Sequence, residues 1–102
     1  MGSRCNVEID GVWLYTHWDG HRLGEILMSA LERGRDRWDD SAYLARIIFS
    51  EMVKDDLMGL TGYGISNRKI DGNYPTLYVD CERKEVREGD KILSFEDFIK
   101  EE

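Results

Sequence analysis

Asp10-Gly11 separates two short runs that alternate apolar and polar residues, Val7 to Ile9 and Val12 to Thr16. A two-residue Asp-Gly link suits the paired positive φ values of a type I′ turn, so an N-terminal β-hairpin is predicted. Val12, Leu14 and Thr16 then point to one face, and Trp13, Tyr15 and His17 to the other. Both faces carry apolar bulk, so a cover is expected on each. Beyond residue 21 the apolar period changes from 2 to about 3.6. Leu23, Ile26, Leu27, Ala30 and Leu31 form one stripe, which predicts a helix over residues 22–33. Gly34 is expected to close it as a left-handed cap. A second helix is predicted over 40–57, with Leu44, Ile47, Ile48, Met52 and Val53 inward and Asp39 or Asp40 as its N-terminal cap. The short connection makes the two helices neighbours. Strands are expected at 63–66, 77–81 and 85–87, the last two joined by a turn near Arg83. Ser94-Phe95-Glu96-Asp97 resembles a capping box and opens a short last helix anchored by Phe95, Phe98 and Ile99, with Glu101-Glu102 fraying. The order is ββ-αα-βββ-α. The expected fold class is α+β, a small antiparallel sheet (the N-terminal hairpin plus the C-terminal strands) packed with two main helices and a short C-terminal one, in a single domain over 1–102.

The chain carries 21 acidic and 14 basic residues, for a net charge of −7. That sign argues against binding duplex nucleic acid. It favours solubility, basic protein partners, or small ligands held in local pockets. The basic residues are interspersed among the acids, which disfavours a nucleic-acid mimic. Residues 2–6 are polar and lack the apolar core of a signal segment. No window approaches the roughly 20 apolar residues of a membrane span, so a cytoplasmic location and no membrane partner are expected. Cys5 and Cys81 are expected as free thiols, and a disulfide between them would need their strands adjacent.

Residues 13–21, Trp-Leu-Tyr-Thr-His-Trp-Asp-Gly-His, are the densest stretch of chemistry. His17 and His21 are four apart and would share a face of a continuous helix, as metal sites require. Gly20 interrupts that helix and no third ligand is evident, so no metal and no cofactor are expected. The plainer expectation is that Asp19 caps the helix, Gly20 supplies the turn and His17 hydrogen-bonds within the loop. A general-base role for His17 needs a nucleophile or activated water. Cys5, Ser29 and Ser66 sit in no nucleophile motif, so no catalytic residue is assigned. Arg33, Arg35 and Arg37 lead into Trp38, with Tyr43 and Arg46 following. Guanidinium forks grip phosphate or carboxylate, and an indole stacks on a base, so a nucleotide-sized anion could bind here. Interleaved Glu32, Asp36, Asp39 and Asp40 offer local ion pairs as the competing account, with Trp38 in the core. The segment from Gly59 to Gly64 has glycines but lacks the Lys-Ser/Thr of a phosphate loop. It reads as a turn entering a strand, with Tyr63 and Ser66 bordering a pocket. The expected ligand-binding set is therefore His17, Trp18, Arg35, Arg37, Trp38, Tyr43, Arg46 and Tyr63.

Arg4-Cys5-Asn6-Val7 and Leu14-Tyr15-Thr16-His17-Trp18-Asp19-Gly20 resemble a family of small uncharacterised proteins of tailed phages and prophages. Arg37-Trp38-Asp39-Asp40, Tyr43-Leu44-Ala45-Arg46, Thr61-Gly62-Tyr63-Gly64-Ile65-Ser66, Tyr78-Val79-Asp80 and Ser94-Phe95 extend the resemblance over most of the chain. Position 21 departs from it, because other members more often carry an aromatic or a polar residue where this chain has His21. The resemblance implies a context rather than a chemistry: an accessory protein made in an infected bacterium. The expected function is non-catalytic binding that counteracts host defence, by sequestering a small nucleotide signal or blocking a host protein. A sequestering protein is expected to be a homo-oligomer, since subunit interfaces build deep pockets. The alternatives are a small enzyme acting on a nucleotide or nucleic acid through His17, and a structural or assembly role.

Overall fold

The computed structural model describes residues 2–100 of the chain. Among the described residues, six strands form one sheet and three helices cover one of its faces. The strands are β1 (Cys5–Ile9), β2 (Val12–Thr16), β3 (Tyr63–Ser66), β4 (Leu77–Asp80), β5 (Glu85–Glu88) and β6 (Lys91–Ser94). The helices are α1 (Leu23–Arg33), α2 (Ser41–Val53) and α3 (Phe95–Lys100). The spatial order is β3-β2-β1-β4-β5-β6. The class is α+β, as expected. The sheet, however, is mixed: β1 and β4 run parallel, and the other pairs are antiparallel. Two helices and a long crossover separate β1 from β4, and a crossover of that length can return the chain in the parallel sense.

The hairpin turn has the expected geometry, with Asp10 at φ 50° and Gly11 at φ 83°. Val7 faces Leu14 and Leu77, and Ile9 faces Val12 and Val79. These side chains, with Cys5 and Val86, make the sheet's contribution to the core. Leu23, Ile26, Leu27, Ala30 and Leu31 of α1 and Leu44, Ile48, Met52 and Val53 of α2 close over them, and Phe95 of α3 is fully buried among them. The helical stripes are those the sequence spacing predicts, except that Ile47, expected inward, is only half-buried at the edge of the core.

Several boundaries differ for physical reasons. The first helical segment opens as a 3-10 turn over Gly20–Arg22 before α1 begins. Gly34 is not left-handed (φ −96°). Its lack of a side chain serves a close approach instead, because a Cβ there would lie 3.1 Å from both Ile47 Cδ1 and Leu44 Cδ1. Asp40 caps α2 by accepting from the Tyr43 N–H at 3.1 Å. This helix stops at Val53 rather than residue 57, and Asp55 and Asp56 place negative charge where the helix dipole disfavours it. Strand β6 was not expected. Gly89-Asp90, with Gly89 at φ 61°, turns β5 back into it. Ser94 accepts from the Asp97 N–H at 3.0 Å and opens α3 as the capping pattern predicts. Glu101 and Glu102 lie outside the described residues.

The second face of the sheet is only partly covered. Segment 67–75 crosses one end of it and is held by buried Asn6, whose Nδ2 donates to the Ile70 carbonyl at 2.7 Å while its Oδ1 accepts from the Ile70 N–H at 3.1 Å. The Arg4 carbonyl accepts from the N–H groups of Asn73 and Tyr74, both at 3.1 Å. The rest of this face presents Glu8, Trp13, Tyr15 and Tyr78, all half-buried.

Candidate functional site

The eight residues expected to bind a ligand fall in three places. His17 and Trp18 lie at the end of β2, where their rings meet edge-on at 4.5 Å. His17 Nδ1 is 3.1 Å from the Tyr15 hydroxyl, so the imidazole does hydrogen-bond within its own segment. Asp19 does not cap a helix. Thr16 Oγ1 accepts from the Trp18 and Asp19 N–H groups, and the Asp19 carboxylate instead accepts from the Tyr63 hydroxyl at 2.7 Å. His21 is engaged elsewhere, with Nδ1 3.1 Å from Ser3 Oγ. Among the described residues no group of His, Cys, Asp and Glu has the arrangement to hold a metal.

Arg35, Arg37 and Trp38 lie at the turn between α1 and α2, Tyr43 lies in the first turn of α2, and each of the two arginines sits over an aromatic ring. Arg35 sits 4.8 Å above the Trp38 ring and bonds Glu96 at 2.7 Å. Arg37 lies 5.1 Å from the centre of the Tyr43 ring. Trp38 is buried, donates Nε1–H to the Leu31 carbonyl at 2.9 Å and meets Phe95 edge-on. The indole is therefore a core anchor and offers no face for a base to stack on. Arg33 likewise bonds Glu51, Ser50 and the Ile47 carbonyl. Arg46 stands apart from this cluster. It shares with Tyr63 an apolar groove of about 520 Å³ between α2 and β3.

The larger groove, of about 750 Å³, involves none of the expected residues. Its floor is Tyr78 and Ile92 on the second sheet face, and its walls are the turns at residues 10 and 80–84. Parallel pairing of β1 with β4 sets Glu8 beside Tyr78, and antiparallel pairing of β4 with β5 sets Arg87 on its other side. Arg87 stacks 4.3 Å from the centre of the Tyr78 ring, whose other neighbour is Trp13, edge-on at 6.0 Å. Six carboxylates line the groove: Glu8, Asp10, Asp39, Asp80, Glu82 and Glu85. Arg83, Lys84 and Arg87 are its cations, and Lys84 is ion-paired with Asp39 inside it. Asp80 holds the turn by accepting from the N–H groups of Glu82 and Arg83, both at 3.0 Å. Glu8 accepts from the Gly11 N–H and Asp10 from the Ser41 hydroxyl. The excess of negative charge is a local expression of the chain's −7. Composition announces that excess, but the parallel pairing that gathers these acids around Tyr78 does not show in the pattern of a single strand.

Cys5, Cys81 and Tyr63 are titratable groups with raised pKa values. Burial pushes the Cys5 thiol up to about 11, and its Sγ lies 3.1 Å from the Pro75 carbonyl. Burial, with Asp10 and Asp80 adding repulsion, pushes Cys81 to about 11 as well. Tyr63 rises to about 12 through burial and its bond to Asp19. Both thiols are free. The parallel register aligns Cys5 with Pro75, so Cys81 sits about six residues, or roughly 20 Å, further along the sheet. Each of these groups is held neutral by the fold, at a pKa above its ordinary value. Their contribution to stability is complete below pH 9 and is lost as pH rises through 11 and 12. The urea midpoint is expected to stay level from neutral pH to about 9 and fall beyond it. A midpoint that stays constant throughout the alkaline window contradicts this.

Comparison with protein-family models, with curated proteins and with solved structures returns no match for this chain.

Proposed function

We propose that this chain is a non-catalytic binding protein whose acidic groove seats a basic surface of a protein partner. The observation that carries the reading is the lining of the larger groove: six carboxylates against three cations, around an aromatic floor. Two of those cations are already engaged, Lys84 with Asp39 and Arg87 on Tyr78. Lysine and arginine side chains bring long apolar stems that pack on the exposed Ile92 and charged heads that reach the rim acids. The chain's overall negative charge would steer such a partner in and accelerate association at low salt. The resemblance to small phage proteins supplies a setting, in which the partner is a basic host protein in the cytoplasm of the infected cell. The nucleotide version of a binding role has less to stand on, because Arg33, Arg35 and Arg37 are engaged with acids and aromatic rings.

Titration calorimetry with a lysine- and arginine-rich decapeptide tests the reading, with its acidic counterpart as control. The basic peptide is expected to bind and the acidic one not. Reversing two rim charges, Glu82→Lys with Glu85→Lys, should weaken binding at least roughly tenfold. Raising salt from about 50 to 300 mM should do the same to the parent chain. Equal affinity of parent and double variant overturns the assignment of the groove. A nucleotide that binds the parent and loses its heat in Arg46→Ala would move the function to the apolar groove instead.

A further inference from the structure

The sheet has two edges, and they are built differently. Strand β6 carries Lys91 and follows Asp90, and charge at an edge discourages a neighbouring strand. Strand β3 lies in a run of ten residues, 57–66, without one charged side chain, in a chain that is 34% charged. Leu57, Met58, Leu60 and Ile65 in this run are 73%, 86%, 98% and 63% exposed. Leu57 and Ile65 line the 520 Å³ groove, whose apolar lining also includes Val12, Leu14, Phe49 and Val53. An apolar surface of this kind marks an interaction site more often than a bare solvent face.

The register shows which backbone groups await a partner. The His17 N–H donates to the Gly62 carbonyl at 2.8 Å. Antiparallel pairs alternate between bonded and non-bonded positions. Gly62, Gly64 and Ser66, opposite His17, Tyr15 and Trp13, therefore turn their peptide groups to β2. Tyr63 and Ile65 turn theirs outward.

We propose that the occupant of this edge is β3 of a second copy of this chain, paired antiparallel about a two-fold axis at Gly64. Two observations select a second copy. The first is self-complementarity of register. An axis at Gly64 sets Tyr63 against Ile65 of the other copy, and both are outward-facing residues, so the two equivalent pairs make four backbone hydrogen bonds. The same pairing stacks an aromatic on a β-branched side chain, a favourable cross-strand couple. At the axis the two strands approach most closely, about 4.5 Å between Cα atoms, where each copy has a glycine and no side chain intrudes. The second is charge. Two chains of −7 repel, and residues 57–66 are the longest stretch through which they can meet without setting like charges together. The dimer joins two sheets into one, covers the exposed Ile65 and closes the open side of both apolar grooves. It leaves both acidic grooves accessible, because they lie toward the other end of the strand order.

Sedimentation equilibrium of the 11.9 kDa chain tests the proposal. The parent is expected at twice that mass. Ile65→Lys puts a charge on the edge at a largely exposed position, and is expected to sediment at 11.9 kDa with an unchanged circular dichroism spectrum. Gly64→Lys has open space for its Cβ in the single chain, but sets two ammonium groups across the axis, and should dissociate the pair as well. Ile92→Lys, on the opposite edge strand, should leave the dimer intact. A monomeric parent at high micromolar concentration overturns the proposal. So does a dimer that survives both β3 variants, or one that only Ile92→Lys dissociates. Each readout is a mass in the absence of peptide, so failure here is separate from failure of the acidic groove to bind.

Discussion

An alanine at position 38 is expected to lower the unfolding free energy by about 3–5 kcal/mol, the largest effect of any change discussed for this chain. The indole is buried, meets Phe95 at 5.1 Å and donates its N–H to the Leu31 carbonyl near the end of α1. Truncation removes the apolar ring, opens a cavity between α1 and α3, and strips Leu31 of its donor. A small domain has only about 5–15 kcal/mol of stability in total, so the variant should be partly unfolded near physiological temperature. Trp38→Phe refills most of the volume and keeps the contact with Phe95. It should lose about 1–2 kcal/mol, chiefly for the unanswered carbonyl. Urea denaturation of both variants measures the difference. The result also separates two accounts of the arginine–tryptophan cluster. If Trp38 served to stack a ligand, the alanine variant would keep parental stability and lose only binding.

The second large effect is expected at Asn6. Its carboxamide makes two hydrogen bonds to the backbone of Ile70 from a buried position on β1. It supplies to segment 67–75 what a neighbouring strand would otherwise supply. Asn6→Ala leaves the Ile70 N–H and C=O without these partners, at a cost of about 2–3 kcal/mol. Part of that cost should appear as local opening rather than global unfolding, because the other ties of the segment are few, among them backbone bonds to Arg4, contacts of Asn73 and the bond from the Cys5 thiol to the Pro75 carbonyl. Trypsin has two sites there, Arg68 and Lys69. About 2 kcal/mol of opening free energy corresponds to roughly thirty-fold faster cleavage after those residues when opening and closing are rapid. An unchanged digestion rate would show that the other ties hold the segment without Asn6.

The local elements were legible because their determinants are local. The Asp10-Gly11 turn, the five-residue stripe of α1 and the Ser94 cap each rest on residues within one or two turns of each other. The features that depart from the local pattern have distant determinants. The neighbours of Gly34 suit a left-handed cap, whereas its role depends on Ile47 and Leu44 packing against it from α2. Asp19 stands where a cap is expected, but it accepts from Tyr63, 44 residues away. Strand β6 has a turn signal in Gly89-Asp90, but Lys91–Ser94 is too short to show alternation. Trp38 had two readings in sequence, ligand stacking or core, and packing against Phe95 and the Leu31 carbonyl places it in the core.

The site shows the same division. Net charge alone favours solubility, basic protein partners or small ligands in local pockets, and that expectation needs no coordinates. Which acids lie together is decided only by the parallel pairing of β1 with β4, which brings Glu8 and the turn at Asp10 to Tyr78 and the turn at Asp80. By itself the sequence determined the α+β class, the buried stripes of the helices and the hairpin, because side-chain period and turn chemistry are short-range properties. Tertiary structure alone decided the strand order, the grooves and the contrast between a charged edge and a bare one. Those depend on which segments lie side by side after a long crossover, and no pattern within either segment records that neighbour.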